Sequence, residues 1–275
     1  MSLKNEVAIL MRGVAATVVM PRFRMLADHE IAEKSPGEVV TVVDREAERL
    51  LYEGLEMLGI PARIVGEEAA AHQPELLDGI GEGLVWLIDP LDGTANFAAG
   101  RAPFGMMVAL VEDGVPLAGW ILDPVSGRLC HAEHGAGASC DGVPMRSRPT
   151  GNALPVAALG THFMTPERAA MVHALADERF ERVPVPRCAA ESYPRLVLGQ
   201  NDLALFQRTL PWDHAAGALF LTEAGGVVTD WTGMPYRVGQ GVGILAAADK
   251  RLWTAGAEHL LGLTAGLAGR EDCTA

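Results

Sequence analysis

Basic residues are scarce in this chain. Lys and Arg total 22 against 35 Asp and Glu, a net charge of −13 over 275 residues. A nucleic-acid polymer binds through a basic face, so RNA and DNA are disfavoured as partners, and an anionic membrane surface is disfavoured on the same ground. The acid excess alone does not signal a metal site, because most such acids simply solvate a surface. Long apolar runs are also missing. No uncharged stretch reaches the length of about 18 residues that a membrane-spanning helix needs. The moderately apolar N-terminal segment is broken by Arg12 and followed by Arg22 and Arg24, unlike a secretory signal. The four cysteines, Cys130, Cys140, Cys188 and Cys273, form no CxxC pair. Neither a thiolate metal site nor a disulfide framework follows from that spacing, and a reducing cytoplasm is the expected compartment. There is no internal repeat and no low-complexity tract. No Ser or Cys has a nucleophile-elbow context, since Ser126-Gly127 and Asp141-Gly142 read as plain turns.

What is present suits a large core with many short connections. Apolar residues make up 49% of the chain, with 31 Gly and 17 Pro. That composition fits one large domain or two tightly packed lobes. Val7, Leu10, Met11, Val14 and Val18 recur at helical spacing, with Pro21 near the helix end. Glu33-Lys34-Ser35-Pro36-Gly37-Glu38 reads as a flexible loop. Ala47, Leu50, Leu51, Leu55 and Leu58 make a second helical stripe, with Asp44 as its candidate cap. Strands are predicted at 63–65, 84–88, 104–111, 117–122 and 128–132, with a hairpin turn at Glu112-Asp113-Gly114. Residues 1–150 thus read as two helices and a mostly antiparallel sheet. The polar stretch Pro144–Leu154 marks the boundary. Residues 151–275 then alternate strands (156–159, 182–185, 203–206, 227–228, 244–247) with helices (166–177, 192–198, 213–223, 249–261), as an α/β layer would.

The chemistry concentrates at Asp89-Pro90-Leu91-Asp92-Gly93-Thr94. An apolar strand runs directly into two carboxylates three positions apart. Pro90 stiffens the turn and Gly93 permits unusual backbone angles. A strand end meeting a helix start offers carboxylates, a free carbonyl and N–H donors around one point, which suits a hard cation such as Mg²⁺. Glu67, at the end of a short strand, and Asp213, at the start of a helix, can complete such a site. Acids converging in space repel one another unless cations neutralise them, and a resulting cluster of two or three metals is the arrangement used in phosphoryl hydrolysis. Each piece alone is a common cap or solvated acid. The set in this order is specific.

With its motifs Gly66-Glu67-Glu68, Trp86–Phe97 (WLIDPLDGTANF) and Pro211–Gly217 (PWDHAAG), the sequence resembles the inositol monophosphatase family of Mg²⁺-dependent, lithium-sensitive phosphatases, over nearly its full length. The resemblance implies an α+β fold, a five-layered α-β-α-β-α sandwich with the site between the two halves, and a homodimer. It implies two or three Mg²⁺ ions. Glu67, Asp89 and the Leu91 carbonyl would hold the first, Asp89, Asp92 and Asp213 the second, and Glu67 a weaker third. Thr94, partnered by Asp44, would help activate the attacking water. The N–H groups of Gly93 and Thr94 would hold the phosphate, and Lys34 falls in a loop near the metals.

The substrate side departs from the inositol-type pattern. Those members carry a Glu shortly before Trp-Asp where this chain has Phe206-Gln207-Arg208, and a small-residue turn where it has Arg187-Cys188-Ala189-Ala190. Gln207 and Arg187 are therefore candidate substrate contacts. Arg187 and Arg208 read either as contacts to a second anionic group or as surface arginines. Glu191, Ser192 and Tyr193 are secondary pocket candidates. His131, His134, His162 and His214 show no tetrahedral ligand spacing and read as surface or packing residues. The expected activity is hydrolysis of a small inositol-1-phosphate-like phosphomonoester. The same chemistry on a 3'-phosphonucleotide, fructose 1,6-bisphosphate or histidinol phosphate is the alternative. A non-catalytic binding protein of this fold is a third reading, opposed by the intact acid set.

Overall fold

The computed structural model describes residues 2–35 and 38–263, so Cys273 and the Pro36-Gly37 pair of the expected loop lie outside the described residues. The N-terminal stripe forms α1 (Leu3–Val14), which continues through a π-helical stretch (Ala15–Val19) into a last turn, α2 (Met20–Arg22), containing Pro21. The expected flexible loop is instead a hairpin. Strands β1 (Ile31–Ser35) and β2 (Glu38–Thr41) pair antiparallel, Ala32 opposite Val40. Its alternating charges conceal a strand that is partly exposed on both faces. Helix α3 (Val42–Met57) follows at once. Its N-cap is Thr41, not Asp44: Thr41 Oγ1 accepts from Val43 N–H at 3.1 Å, and Asp44, three residues on, closes a capping box.

A seven-stranded sheet runs in the order β3-β4-β5-β6-β7-β8-β9, comprising β3 (Arg63–Gly66), β4 (Leu84–Asp92), β5 (Gly105–Glu112), β6 (Val115–Leu122), β7 (Leu129–Glu133), β8 (Gly137–Cys140) and β9 (Val143–Met145). Only β3 and β4 are parallel. The short α4 (Glu67–His72) leaves β3, and α5 (Thr94–Ala98) leaves β4. Asp113 and Gly114 both have positive φ, and Glu112 pairs with Val115, as a two-residue hairpin turn requires. Strands β8 and β9 were not anticipated, being three or four residues long and bounded by turns.

The chain passes to the second sheet over residues 146–155. The buried carboxylate of Asp202 anchors this crossing, accepting from Thr150 N–H at 2.8 Å and Val156 N–H at 2.7 Å. The second sheet has the order β11-β10-β12-β14-β13, formed by β10 (Val156–Gly160), β11 (Glu181–Val183), β12 (Leu203–Phe206), β13 (Val227–Thr229) and β14 (Ile244–Ala247). β11, β10 and β12 are parallel, while β14 is antiparallel to its neighbours. The helices of this half are α6 (Pro166–Asp177), α7 (Ala189–Val197), α8 (Pro211–Glu223) and α9 (Lys250–Leu261), the last capped by Asp249.

Side-chain alternation sorts these elements into five layers. Trp86 and Ile88 of β4 face one way and pack with Val7, Met11, Leu51 and Leu55 of α1 and α3. Val85 and Leu87 face the other way and meet Tyr193, Leu196, Ala216 and Phe220 of α7 and α8. Those helices also cover Ala204 and Ala246 of the second sheet. Leu203, Leu205 and Leu245 point outward to Val172, Leu252 and Trp253 of α6 and α9. The result is the α-β-α-β-α sandwich, with α7 and α8 shared between the sheets. Among the described residues no helix is long and apolar enough to cross a membrane.

Cys130 and Cys140 stand opposite each other across β7 and β8, their sulfurs 4.0 Å apart. Sequence spacing hides this proximity. Both thiols are free, and the hydrogen bond from Cys130 brings the Cys140 thiol down to about 7.

Candidate active site

The end of β4 is irregular, and the irregularity aims its acids. Asp89 pairs with Met107 and Asp92 with Gly105, so three steps on β4 oppose two on β5. Pro90 sits in this bulge, where its missing N–H breaks no ladder bond. Alternation along β4 turns Asp89 to the side of Val85 and Leu87, toward the second half of the chain. Its Oδ1 accepts from Leu91 N–H at 3.0 Å. Asp92 Oδ2 accepts from Ala190 N–H at 2.5 Å, and Cys188 Sγ donates to the Asp92 carbonyl at 3.7 Å, tying the bulge to the start of α7. Gly93 has φ 84° and could carry no side chain without strain. A Cβ there would also come within 3.1 Å of the Pro103 carbonyl and 3.2 Å of Cys188 Cβ. The N–H groups of Thr94 and Ala95 precede the first bonds of α5, which run from Asn96 and Phe97 to the Gly93 carbonyl.

Three carboxylates from three elements converge beside this bulge. Oxygens of Glu67, Asp89 and Asp213 lie within 4.8 Å of one another. Glu67 opens α4. Asp213 is the third residue of α8, after Pro211, which suits a first helical position. Burial pushes the Asp89 carboxyl well above the usual carboxylate range, and the charges of Glu67, Asp92 and Asp213 push it further. Burial likewise raises Asp213, with Glu67 and Asp92 adding to it. Such a set of hard oxygens, costly to ionise together, fits a divalent cation, whose charge would relieve both burdens. Asp92 lines the same cavity. Lys34 already offers one positive charge: its Nζ lies 3.0 Å from Glu67 Oε1 and also bonds Glu68. Burial opposes the charge on Lys34, but the two carboxylates outweigh it and hold the ammonium above its ordinary pKa.

Asp44 serves two purposes with its two oxygens. Oδ2 accepts from Thr41 N–H at 2.7 Å and Thr41 Oγ1 at 2.6 Å, closing the cap of α3. Oδ1 lies 2.9 Å from Thr94 Oγ1, which is also 2.9 Å from the Leu91 carbonyl. One hydroxyl proton serves both acceptors. Burial raises the Asp44 carboxyl to about 6, against the opposing hydrogen bonds from Thr41 and Thr94.

Sequence reasoning missed Glu48. This buried residue accepts from Glu68 N–H at 2.7 Å and Ala69 N–H at 2.8 Å, and so fixes the first turn of α4 and the direction of Glu67. Its signal was legible: it sits four residues after Asp44, on the face of α3 that should be wholly apolar.

Lys34, Glu67, Asp89, Leu91, Asp92, Gly93, Thr94 and Asp213 line one cavity of about 220 Å³, together with Arg187, Gln207, Arg208 and Ser192 from the second half. Arg187 and Arg208 are thus cavity residues and not remote surface arginines. His162 is also there, against its reading as a surface or packing residue. His131 is buried beside Trp120, and the side chain of His134 is largely exposed. His214 cannot bind a metal in this arrangement, because both ring nitrogens are engaged. Nε2 is 2.9 Å from the Arg208 carbonyl, which only accepts, so Nε2 carries the proton and Nδ1 accepts from Tyr193 O–H at 3.0 Å. Burial lowers His214 to about 4, keeping it neutral. Glu191 is not among the cavity's lining residues and pairs with Arg128 and Arg195.

The chain as a whole has known counterparts. The model of the inositol monophosphatase family matches residues 5–263. The chain is 35% identical to the inositol-1-monophosphatase of Mycobacterium leprae over 230 residues, covering 79% of this chain and 76% of that protein. It is 31% identical over 203 residues to the fructose-1,6-bisphosphatase/inositol-1-monophosphatase of Thermotoga maritima, covering 73% and 75%. Among solved structures, a Thermotoga maritima IMPase matches with a TM-score of 0.78 at 26% identity, over 95% of this chain and 97% of that one. The chain therefore belongs to the inositol monophosphatase family of phosphatases.

Proposed function

We propose that this protein hydrolyses a small sugar or polyol phosphomonoester with two or three Mg²⁺ ions per site. The observation that carries the reading is the convergence of Glu67, Asp89 and Asp213 within 4.8 Å beside the opening N–H groups of α5. Glu67, Asp89 and the Leu91 carbonyl would hold one cation, Asp89, Asp92 and Asp213 a second, and Glu67 a third. A bound cation offsets charge on the phosphoryl oxygens and makes water a better nucleophile near neutral pH. The remaining tasks fall to the chain itself. Thr94 rests its proton on Asp44 Oδ1, leaving a lone pair to accept a hydrogen bond from the attacking water. The Gly93 and Thr94 N–H groups receive phosphoryl oxygens. Gln207 and Arg187 face the alcohol. Catalysis is then chiefly positioning and electrostatics, without a covalent intermediate. The working unit in this reading is a homodimer, which sedimentation would test.

The test is phosphate release from a panel of phosphomonoesters with Mg²⁺, after chelation, and with Li⁺ added. Release should require the divalent ion and fall with Li⁺. Asp89→Asn should lower kcat at least ~100-fold, the scale set by losing one preorganised electrostatic group. Full activity in chelator, or an unchanged Asp89→Asn enzyme, overturns the reading.

A further inference from the structure

The second sheet contributes its own wall to the cavity. Strands β11, β10 and β12 run parallel and adjacent, so the loops after their carboxyl ends open side by side. In sheets of this kind ligands bind outside the carboxyl ends of the strands. Those three loops carry Arg187 after β11, His162 after β10, and Gln207 with Arg208 after β12, all lining the cavity. Arg187 holds a left-handed backbone, φ 54°, an uncommon conformation for a non-glycine residue and one that recurs at ligand clamps. Its guanidinium makes no ion pair among the described residues. His162, beside it, offers no counter-charge: burial lowers its pKa and the Arg187 charge lowers it further. The Arg208 guanidinium lies over the Phe163 ring, 4.5 Å from its centroid. The amide oxygen of Gln207 is buried with no hydrogen-bond donor among the described residues, an acceptor suited to a substrate hydroxyl. A phosphomonoester bound at the acid cluster would leave this cationic wall facing its alcohol.

We infer that the alcohol released by this enzyme carries a second anionic group, a phosphate or a carboxylate, received by Arg187 with Arg208 at the carboxyl ends of the parallel strands. A planar guanidinium suits either oxyanion. This rests on the phosphatase reading and adds to it the class of substrate.

Matched pairs of substrates test it. Fructose 1,6-bisphosphate against fructose 1-phosphate isolates a second phosphate. 3-Phosphoglycerate against glycerol 3-phosphate isolates a carboxylate. The doubly anionic member of at least one pair should have the higher kcat/KM by about tenfold or more, the scale of one charge-assisted contact. Which pair shows the preference identifies the anion. Arg187→Gln should raise KM for the preferred member and collapse the preference, with kcat nearly kept, while Arg187→Lys should restore part of it. Circular dichroism and thermal unfolding of each variant confirm that it is folded. Equal kcat/KM within both pairs, or an Arg187→Gln enzyme that loses both members of a pair equally, overturns the inference while leaving the phosphatase reading intact. Release from inositol 1-phosphate but from none of the four overturns the inference alone, and absence of metal-dependent release from all five overturns both.

Discussion

The acid wall of the cavity grows from one strand and its bulge, with Glu67 and Asp213 added from two helix starts. The arginine wall is assembled from three separate loops at the ends of parallel strands. The first wall is tightly held: Asp92 is bonded to α7, Asp44 to Thr41 and Thr94, and Glu48 to the first turn of α4. The second includes an exposed Arg187, with Arg208 lying over the Phe163 ring. The contrast teaches where each kind of specificity resides. Aligning several charges on one phosphoryl group demands rigid support, whereas a choice of alcohol can be altered by changing one loop side chain.

Substitutions at the acid wall should therefore act through kcat and stability, in contrast to the KM effects at the arginine wall. With the cluster carboxylates left in place, the largest effect is expected at Thr94. Thr94→Val keeps the shape but removes the hydroxyl shared by Asp44 and Leu91, and kcat should fall by about 100-fold, within the range for lost proton-transfer assistance, with KM little changed. Steady-state kinetics decides this, and a pure KM effect would erase the distinction between the walls. Next is Gly66→Ala. The new Cβ would lie 2.3 Å from Glu48 Cδ, so the carboxylate must leave the Glu68 and Ala69 N–H groups. A loss of about 1–3 kcal/mol in denaturant unfolding is expected, the cost of buried donors left without partners, with a several-fold drop in kcat as Glu67 loses its support. An unchanged unfolding midpoint would show that α4 holds itself.

The last effect leaves kcat aside and concerns pH. Burial raises Glu48 from 4.5 to about 7. The folded state thus favours the protonated acid, so its contribution to stability is full below pH 4.5 and is lost as pH rises through 7. Glu48→Gln should flatten the stability of the metal-free protein over that window by at most about 1.4 kcal/mol per pH unit, the limit for one proton. Parallel pH profiles for the two proteins would remove Glu48 from the account.

Much of the fold was legible because periodicity and turn chemistry agreed. Helix α6 and strand β12 fall on the predicted residues, and the Asp113-Gly114 turn is where Gly and Asp placed it. The β1–β2 hairpin was hidden because charged Glu33 and Lys34 sit on a strand with little buried face, and β8 and β9 were too short to show a period. Asp44 was read as a cap when Thr41 is the cap. The sequence signal was right about the turn but one side chain off, since a capping box uses both residues.

The sequence by itself carried the motif on which the proposed chemistry rests. Asp89, Asp92, Gly93 and Thr94 fall within one six-residue segment, and the bulge at Pro90 is a local consequence of its order, so two of the proposed cation ligands and the helix-start N–H groups travel together. Tertiary structure alone decided what surrounds them. Glu48 reaches α4 from another helix, Lys34 reaches Glu67 across a hairpin, and Arg187, His162 and Arg208 become neighbours only because three strands lie parallel. Contacts between residues distant in the chain depend on how sheets stack and strands order, and no local pattern of side chains records that.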